Sequence, residues 1–246
     1  MPTGVALRDV RQQLFDAAQR VLLRNGPNAL TSRAVTTEAG CAKGVLHRHF
    51  TDFDDFLAEL VRRRIAGFQA WGATMVEAAG SGQVDENIAD LFSGIFDPVG
   101  LALISLLLSR DDLRARVRTK SPRTEAPRRE APRSEDLRSE GPRSEGSQGE
   151  SPQGESPRSE SPRVEGPPFL VEATAVVAAY LNAEQARQRV PADADVRTLA
   201  LALVGAAHLV FADREGDRPG PAATRQLIAS ILTGANGRPQ QSRAGA

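Results

Sequence analysis

Residues 31–50 constrain the fold of this chain most strongly, because they have the pattern of two short helices joined by a glycine turn. The hydroxyl of Thr31 can cap the first helix by accepting a hydrogen bond from a backbone N–H two or three residues later. Gly40 ends that helix, and a second is predicted from about Ala42. The apolar positions at helical spacing are Ala34, Val35 and Ala39 in the first helix and Val45, Leu46 and Phe50 in the second. This pattern predicts a helix-turn-helix.

The outward residues of the second helix are suited to DNA. In such a motif the second helix lies in the major groove, where its exposed side chains meet phosphates and base edges. Lys43, His47, Arg48 and His49 would face outward, and Gly44 would let the helix backbone approach the duplex closely. An ordinary helical hairpin with a solvated polar face remains an alternative, because short helix pairs with an intervening glycine are common.

The flanking segments are also helical in pattern. An amphipathic helix is predicted over residues 8–25, ended by Gly26 and Pro27. After the motif, Asp52 with Asp55 forms a variant of the capping box, and a long helix is predicted to continue to about residue 79. The apolar positions of these two helices are Val10, Leu14, Ala18, Val21 and Leu22, then Phe56, Leu57, Leu60, Val61 and Ile65.

In this order of elements, residues 8–60 resemble the DNA-binding region of the TetR family of bacterial transcriptional regulators. That family usually has a threonine, an alanine-glycine turn, a glycine, a Leu-Tyr-x-His-Phe run and a Ser-Lys-Glu start of the fourth helix. Here these places hold Thr31, residues 39–40, Gly44, residues 46–50 and residues 52–54. The resemblance and the outward pattern together predict these DNA-contacting residues: Thr31, Arg33, Ala42, Lys43, Gly44, Val45, His47, Arg48 and His49.

Three positions depart from the family pattern. His47 stands where the family usually has a phosphate-contacting tyrosine, and Phe53 stands where it usually has a phosphate-contacting lysine. Ala42 replaces the usual serine cap of the recognition helix. The resemblance therefore implies the fold more strongly than the DNA affinity, since phosphate contacts supply much of that affinity.

The distribution of charge supports DNA binding at the motif, whereas the net charge of the whole chain does not. The 246-residue chain has a formal net charge of zero, but residues 1–50 contain seven Lys or Arg against three acidic residues. Positive charge thus concentrates at the motif, although a solvated surface could have the same balance.

Cys41 is the only cysteine of the chain, which excludes an internal disulfide and suits a reducing cytosol. We expect the Cys41 side chain to be buried in packing rather than to act as a redox sensor.

Residues 121–165 consist of nine consecutive pentads that all end in glutamate, and seven have proline in second place. Because proline at that density prevents both a persistent helix and a sheet ladder, this segment is predicted to be a disordered insertion. It is interpreted as a neutral repeat expansion, with a binding or phosphorylation role as the alternative, since long loop insertions cost little closure entropy.

The rest of the chain predicts a second helical domain. Asp97 and Pro98 start an apolar helix that runs to Leu108, and another helix is predicted over residues 169–189. The next helix has an inner stripe formed by Val196, Leu199, Ala200, Leu203, Val204, Ala207 and Phe211. The opposite, smaller face can accept a second chain together with the last helix, as the family resemblance implies. The predicted homodimer interface comprises Ala202, Gly205, Ala206, Leu209, Leu227, Ile228 and Ile231, with Leu232 beside them.

The resemblance also implies a small-molecule pocket in this second domain. Six aromatic residues could line it: Phe68, Trp71, Phe92, Phe96, Phe169 and Tyr180. Simple core packing is the alternative for each of them, because pocket and core walls are made of the same residue types. His208 is expected to be buried and hydrogen-bonded, with ligand contact as its alternative.

The predicted fold class is all-α, with a three-helix DNA-binding domain over residues 1–52. The helical ligand-binding and dimerisation domain would comprise residues 53–118 and 169–236, separated by the linker 119–168 and followed by a disordered tail, 237–246. No catalytic, cofactor or metal site is predicted: His47 and His49 are two residues apart, which places them on diverging sides of a helix, and no nucleotide or hydrolase motif occurs. The longest apolar run, residues 99–108, is too short for a bilayer, so a cytoplasmic protein is expected.

Three functions remain open from sequence. The first is a repressor that binds a pseudo-palindromic operator in double-stranded DNA as a homodimer and is released by a small apolar effector. The second is a DNA-binding dimer without an effector, and the third is a TetR-like helical protein that has lost DNA binding. Operator binding separates the first two from the third, and release by a small molecule separates the first from the second.

Overall fold

The structure is a computed structural model that describes residues 4–119, 166–213 and 218–234. These residues form ten α-helices and one short 3-10 turn, and they contain no strand. The predicted all-α class is confirmed for this part of the chain. The pentads of residues 121–165 and the predicted tail, 237–246, lie outside the described residues.

The amino-terminal domain is built from three helices: α1 (Gly4–Asn25), α2 (Ser32–Glu38) and α3 (Gly44–His49). Gly26 ends α1 with a φ of 75°, in the left-handed region that favours glycine. A 3-10 turn at Pro27–Ala29 then leads the chain into α2. The predicted inner face of α1 is confirmed for Leu14, Ala18, Val21 and Leu22, which are buried.

Aromatic rings join this domain to the helix that follows, α4 (Phe53–Glu77). Phe15, Phe50 and Phe56 are mutually in contact, with ring centroids 5.0–5.6 Å apart. Each is at most 4% exposed. Replacing such a buried ring with alanine typically costs about 3–5 kcal/mol, so this cluster contributes to the stability of the contact between α1 and α4.

Helices α5 (Val84–Ile95), α6 (Pro98–Ser109) and α7 (Asp111–Thr119) complete the first part of the body. The predicted helix starts at Asp52 and Asp97 are confirmed, since each carboxylate accepts a hydrogen bond of 2.7 Å from a backbone N–H three residues later. The Asp55 carboxylate accepts from the backbone N–H of Thr51 at 3.4 Å, which adds a second hydrogen bond at the start of this helix.

The second part of the body contains α8 (Pro168–Ala186), α9 (Val196–Ala212) and α10 (Pro221–Gly234). Helix α8 packs closely along α4, and Gly72 allows this approach, because a Cβ there would lie 2.3 Å from Cγ1 of Val176. The predicted inner stripe of α9 is confirmed: all seven of its residues are buried.

A buried carboxylate fixes the turn between α4 and α5. Glu184 of α8 is fully buried and accepts hydrogen bonds of 3.2 Å from the backbone N–H of Gly80. It also pairs with Arg189 at 3.2 Å, so the buried charge is compensated. This turn contains Gly80 and Gly82 at φ values of 95° and 63°, which glycine adopts without strain.

Within the described residues, no single helix is both long and apolar enough to cross a membrane. Helices α5 and α6 meet the length and composition test only as a pair, across a bend of 65°.

Candidate nucleic-acid interface

Local backbone interactions form the helix-turn-helix. The Thr31 hydroxyl accepts from the backbone N–H of Ala34 at 3.1 Å, as the sequence predicted. Gly40 follows α2 with a φ of 65°, which ends the helix at the predicted place. Helix α3 begins at Gly44, later than predicted: Ala42 lies in the preceding turn, where its carbonyl accepts from Val45 at 2.9 Å. Lys43 at the N-cap position makes no side-chain cap, so the start of α3 lacks this stabilisation.

Helix α1 holds both helices of the motif. The Arg11 guanidinium donates to the backbone carbonyl of His49 at 2.8 Å, so it satisfies a carbonyl in the last turn of α3. The same group pairs with Glu59 of α4 and lies 4.3 Å from the centre of the Phe50 ring. Gln13 donates to the Ala39 carbonyl at 2.7 Å, at the end of α2. No local sequence pattern indicates this role of Arg11, which in the sequence is only one of the positive charges of the domain.

Ion pairs separate the cations of this domain into two groups. Arg20 and Arg24 both pair with Glu38, and hydrogen bonds from these two arginines lower the pKa of the Glu38 carboxyl. Arg33, Lys43 and Arg48, in contrast, form no ion pair with any residue that the structure describes. Their charges are therefore available to an anionic partner.

These three cations belong to one exposed surface around α3. We define the recognition surface as Arg33, Lys43, Gly44, His47 and Arg48, all of which are exposed. Thr31 and Ala42 are exposed as well. Val45 and His49 are only half-buried, which corrects the outward orientation predicted for His49. Val45 packs partly against the core, so it has less surface for DNA than its predicted role implies.

Phe53, the first residue of α4, packs against another aromatic ring. Its ring stacks on Phe56 with centroids 5.7 Å apart, and its side chain is half-buried. The first residue of α4 thus contributes to the aromatic cluster, where the family usually has a cation.

The acidic start of α4 is neutralised by Arg116 of α7 and by Arg110, which lies between α6 and α7. Arg116 contacts both carboxylate oxygens of Asp52, at 2.9 and 2.8 Å, and Arg110 contacts Asp54 at 2.9 Å. The backbone N–H of Asp55 and the Arg116 guanidinium lower the pKa of the Asp52 carboxyl. Carboxylates next to the recognition helix would repel phosphates, and these pairs reduce that repulsion.

The six predicted pocket residues differ in their surroundings, although the rings of Phe68 and Phe169 are in contact, with centroids 5.1 Å apart. Phe92, Phe96, Phe169 and Tyr180 are 0–1% exposed, which favours the core-packing alternative for these four residues. Phe68 and Trp71 line a groove of about 520 Å³ beside α1. Sequence alone could not separate the two groups, because both consist of aromatic residues on apolar helix faces.

The predicted dimer residues differ in their exposure to solvent. Ala202, Gly205 and Leu209 are exposed on α9, and Leu209 is 75% exposed. Ala206, Leu227 and Ile231 are half-buried. Ile228 is fully buried within its own chain, so its predicted contact with a second chain is wrong.

Cys41 and His208 are both less buried than the sequence predicts. Cys41 is half-buried at the edge of the core, where burial was predicted. His208 is also half-buried, with its ring 6.1 Å from that of Phe96, and desolvation lowers its pKa. Within the described residues, no group of three or more His, Cys, Asp or Glu is placed to hold a metal ion.

Comparison with known proteins agrees with this geometry. Residues 14–60 match the family model described as bacterial regulatory proteins, tetR family. The comparison with curated proteins gives no match. Among solved structures, the fatty acid degradation regulator FadR from Bacillus halodurans is 14% identical, with a TM-score of 0.56 and coverage of 94% of this chain and 96% of that one.

Two further structures share the fold. A TetR-family transcriptional regulator from Agrobacterium tumefaciens is 13% identical, covering 92% of this chain and 97% of that one with a TM-score of 0.57. FadR from Bacillus subtilis, in complex with stearoyl-CoA, is 15% identical, covering 91% and 96% with a TM-score of 0.54. The described residues thus define an all-α helix-turn-helix protein. Residues 14–60 thus match the TetR family model, and the described residues share the fold of these regulators.

Proposed function

We propose that this protein is a sequence-specific transcriptional regulator that binds double-stranded DNA as a homodimer and acts as a repressor, which a small-molecule effector releases from its operator. The observation that carries the proposal is the recognition surface, where exposed cations without ion pairs among the described residues surround α3. An α-helix fits the major groove of B-DNA, and unpaired cations beside it gain free energy by contacting phosphates.

The exposed face of α9 supports the homodimer. It combines small residues, Ala202 and Gly205, with exposed apolar ones, Leu201, Leu209 and Val210. A contiguous apolar face is unfavourable in water, and a second copy related by a two-fold axis would cover it with the same face. Two recognition helices related in this way would read a pseudo-palindromic operator.

Selection of DNA from a random pool tests the proposal. We expect the enriched sequences to be pseudo-palindromes whose half-sites are about one helical turn, or a multiple of it, apart. Binding to the enriched site should exceed binding to scrambled DNA by about a thousandfold or more. A folded protein that enriches no sequence would support the third hypothesis, in which DNA binding has been lost.

A DNA-binding dimer without an effector is the second candidate. The observation in its favour is that Phe92, Phe96 and Tyr180 are buried in the core of the body and are closed to solvent. The stearoyl-CoA complex of the Bacillus subtilis protein supports the effector-responsive alternative by analogy of fold alone. A small molecule that releases the operator would decide for the first candidate.

A further inference from the structure

A groove of about 520 Å³ lies where α1 of the amino-terminal domain meets α4, α5 and the start of α6. Its volume is within the range of about 300–1,000 Å³ that is usual for small-molecule sites. The floor is apolar and the rim is polar. The apolar residues include Phe15, Leu60, Phe68 and Leu103, and the polar ones include Gln19 and Ser93.

One row of α4 forms the long wall of this groove. Arg63, Gly67 and Trp71 follow one another at intervals of four residues, so they lie on the same face of the helix. A Cβ at Gly67 would meet no atom within 4 Å, which means that the glycine leaves open space between the two large side chains. Eight residues of α-helix span about 12 Å. The groove therefore has a cationic end and an aromatic end about this distance apart.

The aromatic end is held open by a glycine. Trp71 is 38% exposed, although it is a large aromatic residue. Its ring lies directly on Gly94 of α5, where a Cβ would come within 2.4 Å of the indole. Any side chain at position 94 would displace the ring. The indole is thus fixed against α5 on one side and faces the groove and solvent on the other.

The cationic end has an uncompensated charge. Arg64 pairs with Asp97 at 2.5 Å and donates to the Gly94 carbonyl at 2.6 Å, so its charge is neutralised. Arg63 donates to the neutral amide oxygen of Gln12 at 2.6 Å and lies 4.7 Å from the centre of the Phe15 ring. Within the described residues Arg63 has no carboxylate partner, and the groove has a net positive charge.

We propose that this groove binds a small organic anion with a flat apolar body. The acidic group binds Arg63, the ring system packs against Trp71, and the apolar body occupies the gap at Gly67. Charge complementarity selects an anion, because the exposed Arg63 guanidinium gains more from a charged acceptor than from the amide of Gln12.

Binding at this position affects the contact between the DNA-binding domain and the body. The acidic group replaces Gln12 as the acceptor of Arg63, which removes a hydrogen bond between α1 and α4. Helix α1 also holds α3 through Arg11. The ligand therefore acts on the helix that positions the recognition helix. This regulatory consequence rests on the proposed DNA-binding function, whereas the binding site itself does not.

Trp71 is the only tryptophan of the chain, so intrinsic fluorescence reports on the groove directly. A suitable probe is anilinonaphthalene sulfonate, a flat aromatic anion, with the uncharged phenylnaphthylamine as its neutral counterpart. We expect saturable quenching of Trp71 by the anion, with an affinity at least about tenfold higher than that of the neutral compound. Arg63→Met should abolish this difference and leave binding of the neutral compound nearly unchanged.

Gly67→Leu places a side chain in the gap and should reduce binding of both probes by about tenfold or more. Ala66→Leu is the matched control, because residue 66 is exposed on the same helix and does not line the groove. Both substitutions replace a residue of a helix with a good helix former, so circular dichroism should show folded proteins. Equal probe affinity in wild type and Gly67→Leu would overturn the proposed site, as would a lack of preference for the anion.

Operator binding is measured in the same samples to separate the two proposals. Weaker operator binding at saturating anion supports coupling through α1, and unchanged operator binding overturns the coupling while the site stands. Normal operator binding without probe binding would overturn the proposed groove and leave the proposed DNA-binding function intact. Probe binding by a protein that enriches no DNA sequence would overturn the proposed DNA-binding function and leave the proposed groove intact.

Discussion

Tyr180 is held in the body by a polar network that changes its acidity. Asn87 donates to the Tyr180 hydroxyl at 2.8 Å, and Glu184 lies on the same helix one turn later. Burial, followed by the hydrogen bond with Glu184, raises the pKa of Tyr180 to about 12. The unfolded chain would ionise near the ordinary value of about 10. The contribution of Tyr180 to stability is therefore fully present below about pH 10 and is lost as the pH rises towards 12.

We expect the phenol of Tyr180 to remain protonated in the folded protein at pH values where a free tyrosine is ionised. Tyr180 is the only tyrosine, so the ultraviolet absorbance of phenolate reports on this side chain alone. Tyr180→Phe should remove the fall in unfolding free energy over this alkaline range. Ionisation with an ordinary pKa in a protein that keeps its native circular dichroism would contradict the network described here.

Arg11 connects three helices, and its loss should affect DNA binding more than its modest exposure suggests. Arg11→Ala removes the donor to His49 and the partner of Glu59. We expect a loss of roughly 1–2 kcal/mol in stability, and weaker operator binding because the end of α3 is no longer held. Urea unfolding and fluorescence anisotropy with labelled operator measure the two effects.

Arg20→Ala is the matched control, because Arg20 also lies on α1, and its exposed ion pair with Glu38 of α2 does not involve α3. Exposed pairs contribute little, so its effect on stability should stay within about 1 kcal/mol. Equal losses of operator binding in both variants would mean that Arg11 acts only through the charge of the domain.

At the scale of single residues, the sequence predicts interactions that are close along the chain. The caps at Thr31, Asp52 and Asp97 each join residues three positions apart, and all three are present. The contacts of Arg11 span 38 and 48 positions. No local pattern distinguishes such an arginine from a solvated one, because its partners are a backbone carbonyl and a distant helix.

At the scale of elements, periodicity predicts a face only where apolar residues occur on one side. Helix α9 has a clear inner stripe, and its burial could be predicted. In α10 the four apolar residues, 227, 228, 231 and 232, also share one broad face, and the period alone could not show that Ile228 is the one that is fully buried. For the same reason periodicity could not show which aromatic residues line a pocket, because packing between helices decides whether an aromatic ring borders a cavity.

The outer face of α9 gives a direct test of the homodimer. A Cβ at Gly205 meets no atom within 4 Å, so Gly205→Arg should leave the fold of the single chain intact. In a two-fold interface the two added guanidinium groups would be buried near each other without partners, and we expect monomers. Ala192→Arg, in the exposed segment between α8 and α9, is the control. Sedimentation that shows unchanged dimers for Gly205→Arg would place the interface elsewhere.

At the scale of the whole molecule, the two ends of the repeat insertion lie close together. Helix α7 ends at Thr119, helix α8 begins at Pro168, and the Arg118 side chain reaches the Gly166 carbonyl at 3.5 Å. A short Gly/Ser linker can therefore replace residues 121–165 without pulling the helices apart. Because loop closure costs little free energy, we expect the melting temperature and operator affinity to stay nearly unchanged.

Differential scanning calorimetry and anisotropy with the operator compare the shortened and full-length proteins. A loss of several degrees in melting temperature, or slow amide exchange within the pentads, would show that the repeat segment contributes folded structure. A change in operator affinity without a change in stability would favour a binding role for the repeats.

The salt dependence of operator binding is the most direct test that the recognition surface contacts DNA. If Lys43 and Arg48 each contact a phosphate in both subunits, the slope of log affinity against log salt concentration should fall by about two for each alanine substitution. Arg187→Ala, an exposed cation at the end of α8, should leave the slope unchanged. We expect lower slopes for Lys43→Ala and Arg48→Ala in folded, dimeric protein, because direct contact between the recognition surface and DNA requires this result. Wild-type slopes in both variants would contradict it.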